Sequence, residues 1–284
     1  MSITSLGVIG AGTMGHGIAQ TCAVKSIGVV MVDVNDAALQ RGVAGITKSL
    51  GRLVDKEKLS AEDRDAALAR VRTSTDYADL AACPLVIEAA TENPALKIKI
   101  LQQLDALLPP AALIASNTSS ISITQLAAAT QRPDRVIGMH FFNPVPVMAL
   151  VEIIRGLQTS DATHGAVHEL AQALGKTPVT VKNAPGFVVN RILVPMINEA
   201  FFVLSEGLAS PEDIDAGMRL GCNHPIGPLA LADMVGLDVC LAVMEVYVAQ
   251  FADSKYRPCP LLREMVAAGW LGRKSGRGVY RYGS

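Results

Sequence analysis

Leu6-Gly7-Val8-Ile9-Gly10-Ala11-Gly12-Thr13-Met14-Gly15 is an apolar, strand-like run that passes directly into Gly-x-Gly-x-x-Gly, with helical sequence following Gly12. In that context each glycine has a separate task. Gly10 makes the tight turn, Gly12 lets backbone N–H groups approach a pyrophosphate, and Gly15 lets helix and strand pack closely. The start of the helix adds the positive end of a dipole for the phosphates. The next strand-like run, residues 28–33, ends in Asp33, about twenty residues on, where this fingerprint places an acid for a ribose 2′-hydroxyl. Asp33 also repels a 2′-phosphate, and none of the seven residues after it is Lys or Arg. The expected cofactor is therefore NAD rather than NADP, held by Gly10, Ala11, Gly12, Thr13, Met14, Gly15 and Asp33. A glycine cluster that merely forms turns beside a solvated Asp is the plainer alternative, and the strand before and helix after argue against it.

Outward from this turn, strand-like runs at 85–88, 113–116, 136–140, 151–154 and 179–181 alternate with helical stretches, including those after Asn35 and Pro94. Such alternation specifies βαβ units and a mostly parallel sheet. From Gly186 the pattern is helical, at 187–206, 211–220, 229–251 and 261–268, until the last few residues. The expected fold is α/β: a Rossmann-type domain over residues 1–184, followed by an all-α C-terminal domain over 185–284. Asn183-Ala184-Pro185-Gly186 supplies the turn chemistry of the boundary. The run 188–204 is apolar on nearly every face and contains Pro195, which should kink it. A helix of this kind must be buried, in its own domain's core or against a second subunit.

Lys and Arg total 25 against 26 Asp and Glu, which lacks the basic excess that phosphate-backbone binding requires, so no nucleic-acid partner is expected. No apolar run approaches the ~18 residues of a membrane-spanning helix. Cys22, Cys83, Cys222, Cys240 and Cys259 are scattered and form no Cys-x-x-Cys pair, which predicts neither a disulfide framework nor a metal site. The opening residues lack the basic and apolar regions of a secretory signal, so a cytoplasmic location is expected.

Taking hydride from a carbinol carbon needs a base for the hydroxyl proton, and imidazole suits this near neutral pH. Of the histidines, His16 lies in the first turn of the nucleotide-binding helix, His164 and His168 share a helix face, and His224 precedes Pro225. His140 instead ends an apolar strand, on the edge where α/β sheets bind ligands. Glu152, on the next strand, reaches back to it if the two strands form a hairpin. The run Ser116-Asn117-Thr118-Ser119-Ser120 either offers donors to a carbonyl oxygen or caps the following helix. Lys56, Lys97 and Lys99 read as solvated helix residues, and Asn190 as an ordinary early-helix residue.

The chain resembles the 3-hydroxyacyl-CoA dehydrogenases, most closely the short-chain bacterial members acting on 3-hydroxybutyryl-CoA. The resemblance spans nearly the whole length and rests on Gly10 to Gly15, Ser116-Asn117-Thr118-Ser119-Ser120, His140-Phe141-Phe142-Asn143-Pro144-Val145-Pro146, Pro185-Gly186-Phe187-Val188-Val189-Asn190-Arg191 and Gly272-Arg273-Lys274-Ser275-Gly276. It implies that His140 is the base, that Glu152 is its partner, and that Ser119 and Asn190 contact the reacting oxygen, placing the site in an interdomain cleft. It further implies that Glu92, Lys97, Ser119, Asn143 and Lys274 serve the nicotinamide and ribose end of the cofactor. Ser49 and Lys56 match positions that hold the CoA moiety of an acyl-CoA substrate, and the helical domain would make a homodimer. Two residues depart from the family pattern: Ser26 stands where a Gly usually ends the first helix, and Val279 where an aromatic residue is common. The rival readings are a related dehydrogenase of a sugar acid or free hydroxy acid, and a crystallin-like NAD-binding protein without turnover.

Overall fold

The computed structural model describes residues 3–283, so the outermost domain limits drawn at Met1 and Ser284 lie outside the described residues. The polypeptide divides into two compact units between Ala184 and Pro185. The first is an eight-stranded sheet flanked by helices. Its strands are β1 (Ser5–Ile9), β2 (Gly28–Val32), β3 (Val71–Ser74), β4 (Leu85–Glu88), β5 (Leu113–Ser116), β6 (Val136–Phe141), β7 (Leu150–Arg155) and β8 (Thr177–Lys182). The helices are α1 (Thr13–Val24), α2 (Asp36–Asp55), α3 (Ala61–Ala69), α4 (Pro94–Leu107), α5 (Ile123–Ala128) and α6 (Asp161–Ala173).

The strand order is β3-β2-β1-β4-β5-β6-β7-β8, with every neighbouring pair parallel except β6 and β7. The first six strands follow the order of a dinucleotide-binding sheet, which reverses direction between β1 and β4. β4, β5 and β6 are buried along their whole length. Helices cover a parallel sheet on both faces, so its central strands must be apolar throughout rather than alternating.

The strand β3 and helix α3 were not expected from the sequence. Val71-Arg72-Thr73-Ser74 is an edge strand without a buried residue, held to β2 by its backbone, so no apolar pattern marks it. α3 is short and buries only Ala67, although Ser60 caps it through Asp63 N.

The second unit contains α7 (Val189–Ser205), α8 (Pro211–Gly221), α9 (Pro228–Val235), α10 (Leu237–Phe251) and α11 (Pro260–Ala267). Ile197, Phe201, Leu229, Leu237, Cys240 and Leu262 form the centre of its core. α7 buries one face through Val194, Ile197 and Phe201, leaves Ile192 exposed, and continues through Pro195 as one uninterrupted helix. The single helix expected over residues 229–251 is in fact α9 and α10. Gly236 separates them at φ +109, where a Cβ would lie 2.9 Å from Asp238 Oδ1. The strand-like pattern at the end of the chain yields only isolated bridges, Gly272 with Arg277 and Arg277 with Arg281. Buried Asp233 pins that segment by accepting from Val279 N and Tyr280 N, each at 2.9 Å.

Candidate active site

The turn after β1 is built by its glycines. Gly10 has φ +97, and a Cβ there would come within 2.7 Å of Ala89 O. A Cβ on Gly15 would lie 1.7 Å from Gly10 O, so only glycine allows α1 to pack this close to the turn. At Gly12, by contrast, a Cβ would meet nothing within 4 Å. Gly12 is also the N-cap of α1 and gives it no side-chain hydrogen bond, so the first N–H groups of the helix face outward. This combination of an open backbone face and an uncapped helix start fits a diphosphate.

Asp33 follows β2 and turns back onto the same loop. Its Oδ2 accepts from Ala11 N at 2.6 Å and its Oδ1 from Val34 N at 2.7 Å. Ala11, Gly12, Thr13, His16, Asp33, Ala38 and Arg41 line a cavity of about 360 Å³. The carboxylate beside the diphosphate turn suits a ribose diol, so the residues present fit NAD. Arg41 lies just beyond the seven residues that follow Asp33 and carry no basic group, and α2 brings it back to this cavity.

β6 and β7 form the antiparallel pair on which the chemistry depends. His140 is in direct register with Glu152, so both side chains leave the sheet on one face. His140 Nδ1 lies 2.8 Å from Glu152 Oε2. His140 is 6% exposed and Glu152 0%. With Glu152 ionised, Nδ1 carries the proton that it donates to the carboxylate, and Nε2 is the nitrogen with a lone pair for proton exchange. Phe142 packs at a tilt on the imidazole, with ring centroids 4.6 Å apart. Asn117 Oδ1 accepts from Phe141 N at 2.8 Å and ties the end of β5 to β6. The connection between the two strands is held by Lys176, whose buried Nζ donates to Val145 O and to Met148 O.

Ser116 to Ser120 do not cap the next helix, since Ser122 caps α5 through Gln125 N. Thr118, Ser119 and Ser120 converge instead on Glu92. Its Oε1 accepts from Thr118 Oγ1 at 2.6 Å, Ser119 N at 2.7 Å, Ser119 Oγ at 3.1 Å, Ser120 N at 3.0 Å and Ser120 Oγ at 3.2 Å. Lys97 corrects the sequence reading of a solvated helix residue: it is 1% exposed. Its Nζ reaches Glu88 Oε1 at 2.7 Å and Oε2 at 2.9 Å, and Glu92 Oε2 at 3.5 Å. Glu88 also accepts from Ser116 Oγ at 2.6 Å and Ala90 N at 2.7 Å. Glu88, an acid at the end of a fully buried strand, carries no signal in the amino-acid pattern. Burial acts to raise the Glu92 carboxyl, but the Lys97 ammonium and the hydrogen bonds from Thr118 and Ser119 outweigh it and hold it below the usual carboxylate range.

The other expected residues fall in several places. Ser49 and Asn143 border one cavity of about 190 Å³, with Thr13, His16, Lys48 and Arg52. Lys56 is exposed at the C-cap of α2 and does not line it. In the second unit Asn190 lies in the first turn of α7. Lys274 pairs there with Asp238 at 2.6 Å. His164 and His168 face each other on α6 with centroids 5.7 Å apart, and His164 bonds Thr180. Burial and then the Arg155 and His168 charges push His164 below its ordinary value, and it lies outside the groups described above.

Two family models match the chain. The NAD binding domain of 3-hydroxyacyl-CoA dehydrogenase covers residues 5–184, and its C-terminal domain covers residues 186–282. The chain belongs to the 3-hydroxyacyl-CoA dehydrogenase family. A 3-hydroxybutyryl-CoA dehydrogenase of Bradyrhizobium diazoefficiens is 53% identical over 280 residues, covering 99% of this chain and 96% of the relative. The crystal structure of (S)-3-hydroxybutyryl-CoA dehydrogenase from Ralstonia eutropha is 69% identical, with a TM-score of 0.97 and 100% of both chains covered. A 3-hydroxyadipyl-CoA dehydrogenase of Escherichia coli is 43% identical over 281 residues, which make up 99% of this chain and 59% of that relative. This dehydrogenase is an NAD-dependent oxidoreductase that interconverts 3-hydroxyacyl-CoA and 3-oxoacyl-CoA. Among its described residues no helix is long and apolar enough to cross a membrane.

Proposed function

We propose that this dehydrogenase acts on the short-chain pair (S)-3-hydroxybutyryl-CoA and acetoacetyl-CoA, with His140 as the general base. The observation that carries the reading is the buried His140–Glu152 pair, set in register by the β6–β7 hairpin. Bound NAD supplies the hydride acceptor for carbon 3 of the hydroxyacyl thioester. His140 Nε2 takes the hydroxyl proton, and Glu152 stabilises the imidazolium that results; in the reverse direction the same imidazolium returns the proton. Ser119 and Asn190 hold the reacting oxygen. Gly10 to Gly15 and Asp33 hold the diphosphate and ribose of the cofactor, with Glu92, Lys97, Asn143 and Lys274 serving its nicotinamide side. Ser49 and Lys56 contact the CoA moiety.

Chain length is the finer part of this proposal, because the relatives bear names for a four-carbon and for a six-carbon dicarboxylic acyl group. NADH oxidation by the purified protein with acetoacetyl-CoA, free acetoacetate and longer 3-oxoacyl-CoA thioesters tests it. The proposal expects the highest kcat/KM with acetoacetyl-CoA and none with the free acid. Equal turnover of the free acid, or a preference for longer thioesters, contradicts it.

We also propose self-association through the helical unit, where Ile192, Leu208, Leu220 and Met234 expose apolar side chains. Light scattering after size exclusion should give twice the chain mass, and a monomer contradicts this. All five cysteines are free, which suits a reducing compartment such as the cytoplasm.

A further inference from the structure

His16 borders two cavities of the first unit: the cofactor cavity beside Gly12 and Asp33, and the smaller one beside Ser49 and Asn143. It stands on the first turn of α1, and its ring is laid against α2 at Gly45. A Cβ at Gly45 would come within 3.0 Å of His16 Nε2 and 3.2 Å of Cδ2 and Cε1, so any larger residue there would crowd the ring. Glycine in a helix interior costs stability, and at this position it gives the imidazole its seat. Among the described residues neither ring nitrogen of His16 has a hydrogen-bond partner.

The charges around both cavities favour anions. Arg41 borders the first, and Lys48 and Arg52 the second. Positions 41, 45, 48 and 52 of α2 follow one another at helical spacing, so the three cations share the face on which the ring rests. None of the three forms an ion pair among the described residues. The one acid that lines either cavity, Asp33, is already engaged by Ala11 N and Val34 N. Imidazole donates from one ring nitrogen when neutral and from both when charged, and a bond to a phosphate oxygen is of the strong, charge-assisted kind. We propose that His16 is a phosphate-binding residue shared by the two ligands, facing the cofactor diphosphate across one cavity and a phosphate of the CoA moiety across the other. The CoA half of the inference rests on the proposed contact of Ser49 with CoA.

The test compares wild type with His16→Ala by the Kd for NADH, from fluorescence titration, and by the KM at saturating NADH for two thioesters. One is acetoacetyl-CoA, and the other is acetoacetyl-pantetheine, which carries the same acyl group without phosphates. Losing a hydrogen bond to a charged group weakens binding by about tenfold or more. In His16→Ala the Kd for NADH and the KM for acetoacetyl-CoA should each rise by about that factor. The KM for acetoacetyl-pantetheine should stay within about twofold of its wild-type value. A rise in only one of the first two overturns the shared role. An equal rise for the truncated thioester overturns the phosphate contact, because the ring would then shape the site without binding phosphate. Wild-type protein that takes acetoacetyl-pantetheine with as low a KM as acetoacetyl-CoA overturns the reading of Ser49 as a CoA contact and the inference with it, and the wild type alone reveals this. If His16→Ala does not fold, His16→Phe keeps a ring against Gly45 and removes both nitrogens. It should show the same paired rise, and retention of either affinity overturns the inference.

Discussion

Ser26 follows α1 with φ +62, a left-handed conformation that costs a residue bearing a Cβ roughly 1–2 kcal/mol. The family resemblance expects glycine at this position, and the positive φ gives the physical reason for that expectation. Ser26 is exposed, so nothing else binds it to the site. Ser26→Gly should therefore stabilise by about 0.5–1 kcal/mol, after allowing for the extra freedom glycine gives the unfolded chain. An unchanged or lower denaturation midpoint contradicts this. Glu92 carries a pH dependence of known direction. Its folded pKa lies below the unfolded value of about 4.3, so its contribution is complete above that value and is lost as pH falls through the folded pKa. The difference in Tm between wild type and Glu92→Gln should narrow as pH is lowered from about 6 toward about 3. A difference independent of pH contradicts the assignment. At this scale the sequence was only partly legible. His140 stood out because it ends an apolar strand, whereas Lys97 looked like any helix lysine. Its partner Glu88 lies nine residues away on another element, and no periodicity reveals such a pair.

The elements carry the site through two connections. The turn from β1 into α1 was legible, because a glycine pattern between a strand and a helix has one steric explanation, and Gly15 lies against Gly10 O as that explanation requires. The β6–β7 hairpin was legible only as a condition. Its register could not be read, since the connection between the strands carries no short turn signature. Lys176, the residue before β8, supplies part of that register by holding Val145 O and Met148 O. Lys176→Met leaves those carbonyls without this donor, and an unsatisfied buried group costs about 1–3 kcal/mol. Urea denaturation should show a loss of that size, accompanied by lower kcat, because the hairpin carries His140 and Glu152. Unchanged stability and turnover contradict the role. β3 was missed because an edge strand is stabilised through backbone pairing, and the break at Gly236 was missed because one glycine inside an apolar run resembles a tolerated helix residue.

For the whole molecule, the change from βα alternation to helices alone was legible, because packing a sheet and packing a helical core demand different spacings of apolar residues. Each of the two compact units is matched by a family model of its own. The sheet unit brings the glycine turn, Asp33, the Glu92 network and the His140–Glu152 pair to one end of its strands, where β1, β2, β4, β5 and β6 finish. What no spacing expressed was the acyl chain length, which depends on how side chains fill space. The central claim is that His140 exchanges the proton of the substrate hydroxyl. The most direct test is the kcat of purified His140→Ala for NADH-dependent reduction of acetoacetyl-CoA, alongside its circular dichroism and NADH affinity. General acid–base catalysis contributes about 10²–10⁴-fold, so turnover should fall by at least that order with fold and NADH binding retained. Turnover close to wild type in a folded, NADH-binding His140→Ala protein would contradict the account.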